Sequence, residues 1–169
     1  MKIAYLGGKH VGILGALTVL ALGHKISGVV SYSEDLTGVL RDFGLTCYRS
    51  IRDNAFQDAL KNSDLLLCVH GREIVPSSML QLPQKGGINL HPYLYRYPGA
   101  NPIQRALQES NFRASVGAHR MTSQVDAGEV LCEEFTEAEG ANTVEEVYAK
   151  LYPLYIQVII LTLSKIQVL

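Results

Sequence analysis

The chain has 169 residues, enough for a single domain with a substantial core. Hydrophobic residues make up 47% and charged residues 18%, a globular balance that excludes a disordered chain. The net charge is −1 and no Lys/Arg run occurs, so a nucleic-acid partner held by clustered cations is not indicated; residues distant in sequence can still assemble a local basic patch.

The predicted elements begin with Lys2–Leu6, a β-rich apolar run that enters a tight turn at Gly7 and Gly8. Val11–Leu22 has helical length and stops at Gly23. Lys25–Tyr32 is a second strand, Leu36–Phe43 a helix closed by Gly44, and Ala55–Asn62 a third helix. Asp64–Val69 is an apolar strand that leads into the loop His70–Arg72 and the short helical piece Ser77–Leu82. Gly87–Leu90 is the next strand, followed by a loop rich in Pro, Tyr and Gly from His91 to Gly99. Pro102–Ser110 is helical, and Ser115–Met121 and Gly128–Phe135 are strands, the second antiparallel to its neighbour. A long closing helix spans Thr143–Gln167, with Thr143 suited to cap it and Glu145 and Glu146 suited to its first turn. This alternation predicts one α/β domain over 1–169, with a mostly parallel sheet, an antiparallel strand near its C-terminal part and helices on both faces.

Cys47, Cys68 and Cys132 are odd in number, widely spaced and free of any CxxC pair. They predict reduced thiols and a cytoplasmic setting, not a disulfide framework or a zinc site. No His/Cys/carboxylate cluster has metal-ligand spacing. The cleanest apolar segment, Tyr155–Leu163, has about half of the ~20 residues that a membrane span needs. The apolar face of Tyr148–Leu163 suits either the core or a contact between two copies in a homodimer.

Gly7-Gly8-Lys9-His10-Val11-Gly12 follows a strand and opens a helix. Backbone amides at such a turn attract anions, and Gly8, Lys9 and His10 are candidate phosphate contacts. The adjacent glycines do not fit GxGxxG, and a plain strand-to-helix turn explains the same residues. Asn89 and His91 stand two apart at a strand end, so their side chains share a face at the sheet edge where α/β folds bind ligands. An imidazole beside an amide suits acyl transfer: one moves protons near neutral pH, and the other donates to an oxyanion. Asp126, in Val125-Asp126-Ala127-Gly128, offers a carboxylate to orient the imidazole, although an Asp-x-Gly turn is also a common structural device. His119 is on one face of a late strand, either at the site or in the core.

The segment from Gly86 to Ile103 resembles the signature of the folate-dependent formyltransferase family, in which an Asn-x-His loop leads to a Gly and then a Pro-Ile helix. Ala114–Met121 followed by Val125–Gly128 is similar to that family's later strand and aspartate loop. The resemblance runs from Ser63 to about Phe135, and more loosely over the whole chain. It implies a Rossmann-like formyltransferase fold and 10-formyltetrahydrofolate as formyl donor, with no metal. It also implies direct transfer to an amine: Asn89 holding the oxyanion, His91 acting as general acid or base, and Asp126 orienting His91 and helping to take up the amine proton. The loop His70–Pro76 resembles the part of the family that wraps the pterin. Gly71, Arg72, Ile74 and Val75 there, with Gly128, are the implied donor contacts.

The chain departs from the family where Tyr93 replaces a usual Ser and the loop to Gly99 is one residue shorter. Tyr93, Arg96 and Tyr97 are candidate acceptor contacts, since aromatic faces stack on bases and sugars, though they suit packing the loop onto the body equally well. Likeness to the amino-sugar branch points to a primary amine on a small molecule such as a nucleotide-linked amino sugar. Competing expectations are a formyltetrahydrofolate hydrolase, an activity like that of glycinamide ribonucleotide or methionyl-tRNA formyltransferases, and a non-catalytic folate- or nucleotide-binding module.

Overall fold

The computed structural model describes residues 1–168. Along the chain they form β1 (Lys2–Gly7), α1 (Lys9–Ala21), β2 (Lys25–Ser31), α2 (Glu34–Asp42), β3 (Cys47–Tyr48), α3 (Asn54–Lys61), β4 (Leu65–Val69), α4 (Ser77–Leu80), β5 (Gly87–Pro92), α5 (Pro102–Gln108), β6 (Arg113–Arg120), β7 (Val130–Glu137) and α6 (Val144–Val168). One seven-stranded sheet has the order β3-β2-β1-β4-β5-β6-β7. The strands from β3 to β5 pair in parallel, and β6 and β7 are antiparallel. This is the Rossmann-like architecture expected from the alternating strand and helix signals.

Strand alternation splits the core into two layers. Ile3 and Tyr5 of β1 and Leu65, Leu67 and Val69 of β4 face a large cluster shared with α1, α2, α5 and α6. Ala4, Leu6, Leu66 and Cys68 point the other way, onto Phe56 and Leu60 of α3 and Met79 of α4. Such near-continuous apolar runs are what a parallel sheet covered on both faces requires. The Tyr5 ring is fully buried and its hydroxyl donates to Gly12 O at 2.8 Å, which satisfies the one polar atom it carries inward.

Closing helix α6 starts with a reciprocal cap. Thr143 Oγ1 accepts from Glu146 N, while Glu146 Oε2 accepts from Asn142 N and Thr143 N. The apolar face read as core or interface is core at Tyr148, Leu151, Tyr155, Val158, Ile159 and Leu163, whereas Ile160 is exposed. By length and composition the stretch Val144–Gln167 does reach what a bilayer crossing requires, contrary to the expectation from Tyr155–Leu163 alone. Half of its most apolar window is buried within the fold.

Candidate active site

β5 ends beside β4 on one flank and the antiparallel β6 on the other, so its last side chains open into a crevice at the carboxyl edge of the parallel sheet. Asn89 and His91 share a face of β5. Asn89 pairs in register with His119 of β6, and His91 with Gly117. The loop between β6 and β7 returns Asp126 to the same point, with a φ of 51° that Asp tolerates better than most residues. A cleft of about 440 Å³ forms there, lined in part by Lys9, His70, Gly71, Arg72, Ile74, Val75 and Tyr148.

Asp126 is the hub. Its Oδ2 accepts from Gly99 N at 2.7 Å and is 3.1 Å from His91 Nε2. Its Oδ1 is 3.2 Å from His119 Nε2 and 3.3 Å from Asn89 Nδ2. Burial raises the carboxyl pKa. The hydrogen bond from His119, the charge of His91 and the Gly99 amide outweigh it and hold Asp126 down at about 2. The carboxylate is therefore ionised at any physiological pH and is 7% exposed. His91 Nε2 also points at Gly99 O, 2.9 Å away, so it carries a proton shared between two acceptors. Its Nδ1 is buried without a hydrogen-bond partner. Asn89 Nδ2 reaches His119 Nε2 at 3.2 Å as well as Asp126. His119 Nδ1 faces Arg120 O at 3.0 Å, which orients its ring from the far side.

The thiol of Cys68 also lines the cleft, but burial pushes it up to about 12. A thiolate nucleophile at neutral pH is not available from it. What the arrangement offers is an ionised carboxylate, an imidazole and an amide donor in one partly apolar space. That set suits proton transfer and oxyanion stabilisation in acyl chemistry. No group of three or more His, Cys, Asp or Glu placed to hold a metal occurs among the described residues.

Of the residues singled out in the sequence, Asn89, His91, Asp126, Gly71, Arg72, Ile74, Val75 and Lys9 line this cleft. Ile74 is 77% exposed and Val75 is buried, so the loop offers one apolar side chain to the opening and anchors the next. Six candidates are elsewhere. Tyr93 and Tyr97 are 0% and 2% exposed, packed edge-on against each other under the loop, and cannot meet a ligand. Arg96 pairs with Glu109 on the surface. Gly8 turns its N–H to Val69 O, and His10 stands at the exposed start of α1 against the Tyr152 hydroxyl. Gly128 packs its Cα against the main chain of Arg120, so its role is close approach and not donor contact. Strand alternation left His119 open; its pairing with Asn89 brings it inward.

A carboxylate secures the Gly71–Val75 loop. Glu73 accepts from Tyr32 Oη, Ser50 Oγ and Ile51 N, at 2.9, 2.6 and 3.1 Å. These bonds and the nearby Arg52 charge outweigh the burial that raises it, and its pKa lies below the ordinary range. Just before this loop, burial and then the Lys9 and Arg72 charges lower His70 from 6.5 to about 4. Between these values the unfolded chain binds a proton that the folded chain refuses. This contribution to stability is complete above pH 6.5 and is lost as the pH falls toward 4. Thermal unfolding should therefore show the melting temperature dropping through that window, with a flatter profile in His70→Asn. Parallel profiles for the two proteins contradict it.

Comparison with known proteins gives a consistent picture. A family model described as "Formyl transferase" matches residues 20–163. A methionyl-tRNA formyltransferase of Thermotoga neapolitana is 30% identical over 185 aligned positions, covering 99% of this chain and 59% of that protein. Among solved structures, glycinamide ribonucleotide transformylase 1 of Symbiobacterium toebii superposes with a TM-score of 0.74 at 22% identity, covering 94% of this chain and 85% of that one. A formyltetrahydrofolate deformylase of Pseudomonas putida gives 0.72 at 16% identity, covering 94% and 62%. The likeness to these structures is one of fold. The chain spans 35% to 59% of the length of the curated relatives it matches.

Proposed function

The chain belongs to the formyl transferase family, and from that premise we propose that it moves a formyl group from 10-formyltetrahydrofolate directly to a primary amine of a small molecule, with Asn89, His91 and Asp126 as the catalytic set. One observation carries this reading: Asn89 and His91 each come within 3.3 Å of the Asp126 carboxylate, in a cleft lined by the Gly71–Val75 loop. The amine nitrogen attacks the formyl carbon, an oxyanion forms and collapses, and the bond from the formyl carbon to N10 of the folate breaks. One proton leaves the amine and one reaches N10. Asn89 Nδ2 has two hydrogens and one internal acceptor in reach, Asp126 Oδ1, so the second hydrogen can serve the developing oxyanion. His91 exchanges the proton, and Asp126, fixed in its ionised form, holds the imidazole and stabilises its charged state. The high pKa of Cys68 favours direct transfer over an acyl-enzyme.

The acceptor end of the cleft supports an amine attached to an anionic group. Lys9, exposed at the start of α1, holds its ammonium 5.1 Å from the centre of the Tyr148 ring. A nucleotide-linked amino sugar has both the amine and the negative charge.

The test is ligand-dependent stabilisation followed by product analysis. A ligand that binds only the folded chain raises its melting temperature. 5-Formyltetrahydrofolate, a stable analogue of the donor, should do so, and a flat response at saturating concentration removes the donor from the proposal. Incubation of the protein with 10-formyltetrahydrofolate alone should release little formate. Adding amino-sugar nucleotides, glycinamide ribonucleotide or methionyl-tRNA in turn should give one formylated product. Formate release without an acceptor assigns hydrolysis instead.

A further inference from the structure

Gly99 meets both members of the His91–Asp126 pair through its main chain, donating its N–H to Asp126 Oδ2 and presenting its carbonyl to His91 Nε2. Its φ is 85°, a conformation open to glycine at little cost, so the peptide planes on either side depend on what holds them. The preceding carbonyl, Pro98 O, accepts from Arg105 Nη1 at 2.8 Å. The same guanidinium is 5.3 Å from the centre of the Tyr97 ring. Tyr97 is buried, packs edge-on against Tyr93 with ring centres 5.8 Å apart, and donates its hydroxyl to Glu109 at 2.7 Å. Arg105 and Glu109 come from α5 and the residue that ends it. One short helix and the residue that ends it thus grip Tyr97 and the carbonyl immediately before Gly99.

On the reading of His91 and Asp126 as the catalytic pair, we propose that Arg105, acting with Tyr97, is a positioning residue: it fixes the Pro98–Gly99 peptide and, through it, the geometry of the carboxylate and the imidazole. Arg105 does not line the cleft and has no contact with substrate to lose. Two features make the clamp directional. The cation stacked on an aromatic ring holds the guanidinium plane, and the planar fork then delivers its N–H to one carbonyl. Lysine can donate to the same carbonyl but cannot reproduce the planar stack.

The experiment compares wild type, Arg105→Met and Arg105→Lys by amide NMR, thermal unfolding and steady-state kinetics. The Gly99 amide proton, bonded to a carboxylate at 2.7 Å, should resonate far downfield, and Asp126→Asn identifies it by moving it. In Arg105→Met it should move upfield, with turnover reduced about 10- to 100-fold and the donor KM little changed. Arg105→Lys should recover part of both effects. An unmoved Gly99 amide in a folded Arg105→Met protein overturns the proposal. So does a loss of turnover that only follows a loss of thermal stability. The NMR readout is independent of formyl transfer, so a protein that shows the shift but transfers nothing refutes the reaction and leaves the clamp standing.

Discussion

Asp126→Asn should lower turnover of the formyl donor by at least about 100-fold while the chain stays folded. The expectation follows from how completely the carboxylate is used. Both oxygens accept: Oδ2 from the Gly99 amide and His91, and Oδ1 from the side of His119 and Asn89. A carboxamide cannot accept on both sides. In one orientation its NH2 faces the Gly99 N–H, and in the other it faces His119 and the NH2 of Asn89. Either way two donors point at each other, and the negative charge that favours a protonated imidazole is gone. The acid dependence of wild type has the matching sign. Because the folded pKa is depressed to about 2, this carboxylate adds stability that is complete above about pH 4 and disappears as the pH falls through 2. The check is single-turnover kinetics beside a circular-dichroism spectrum; near wild-type turnover in a folded variant takes Asp126 out of the mechanism.

Gly128→Ala should destabilise the chain by at least about 2 kcal/mol, a fall of several degrees in melting temperature. A Cβ at this position is 1.8 Å from Arg120 O and 2.8 Å from the same residue's carbonyl carbon. Both are main-chain atoms of β6, which is paired on both edges and cannot yield as a side chain can. An Asp-x-Gly turn commonly takes its positive φ at the Gly. The structure instead gives the positive φ to Asp126 and uses Gly128 for close approach. Relief of the clash must displace the loop two residues from the Asp126 carboxylate, so on the proposed mechanism activity should fall along with stability. Thermal unfolding measures the first effect, and a change within about 1 °C shows that the loop absorbs a methyl group freely.

The parts of the fold with strong local signals were legible. β1, α1, β2 and α2 announce themselves by apolar runs that stop at Gly7, Gly23 and Gly44, and the cap at Thr143 marks α6. β3 was not, because two residues, Cys47 and Tyr48, are too few to show alternation. In the site, the spacing of Asn89 and His91 was readable because a strand fixes where i and i+2 point. Resemblance supplied the place of Asp126. Spacing alone could not, since the carboxylate arrives from a loop 37 residues beyond Asn89. For the tyrosines residue type left two placements open, ligand contact and packing of the loop, and Tyr93, with φ at 53°, takes the second and is buried in the core. The part played by Gly99 is carried by its main chain, and main-chain atoms leave no trace in residue type.

The three bonds to Glu73 bear on how a folate would meet this surface. Most loops that carry exposed residues sample many shapes, and a ligand that selects one shape loses affinity in proportion to how rarely it occurs. Here one carboxylate ties the loop to the end of β2 and to the chain that follows β3. These bonds hold the loop at Glu73 before any ligand arrives. On the folate reading, discrimination between ligands then falls to cleft residues outside this tethered loop, Lys9 and Tyr148 among them.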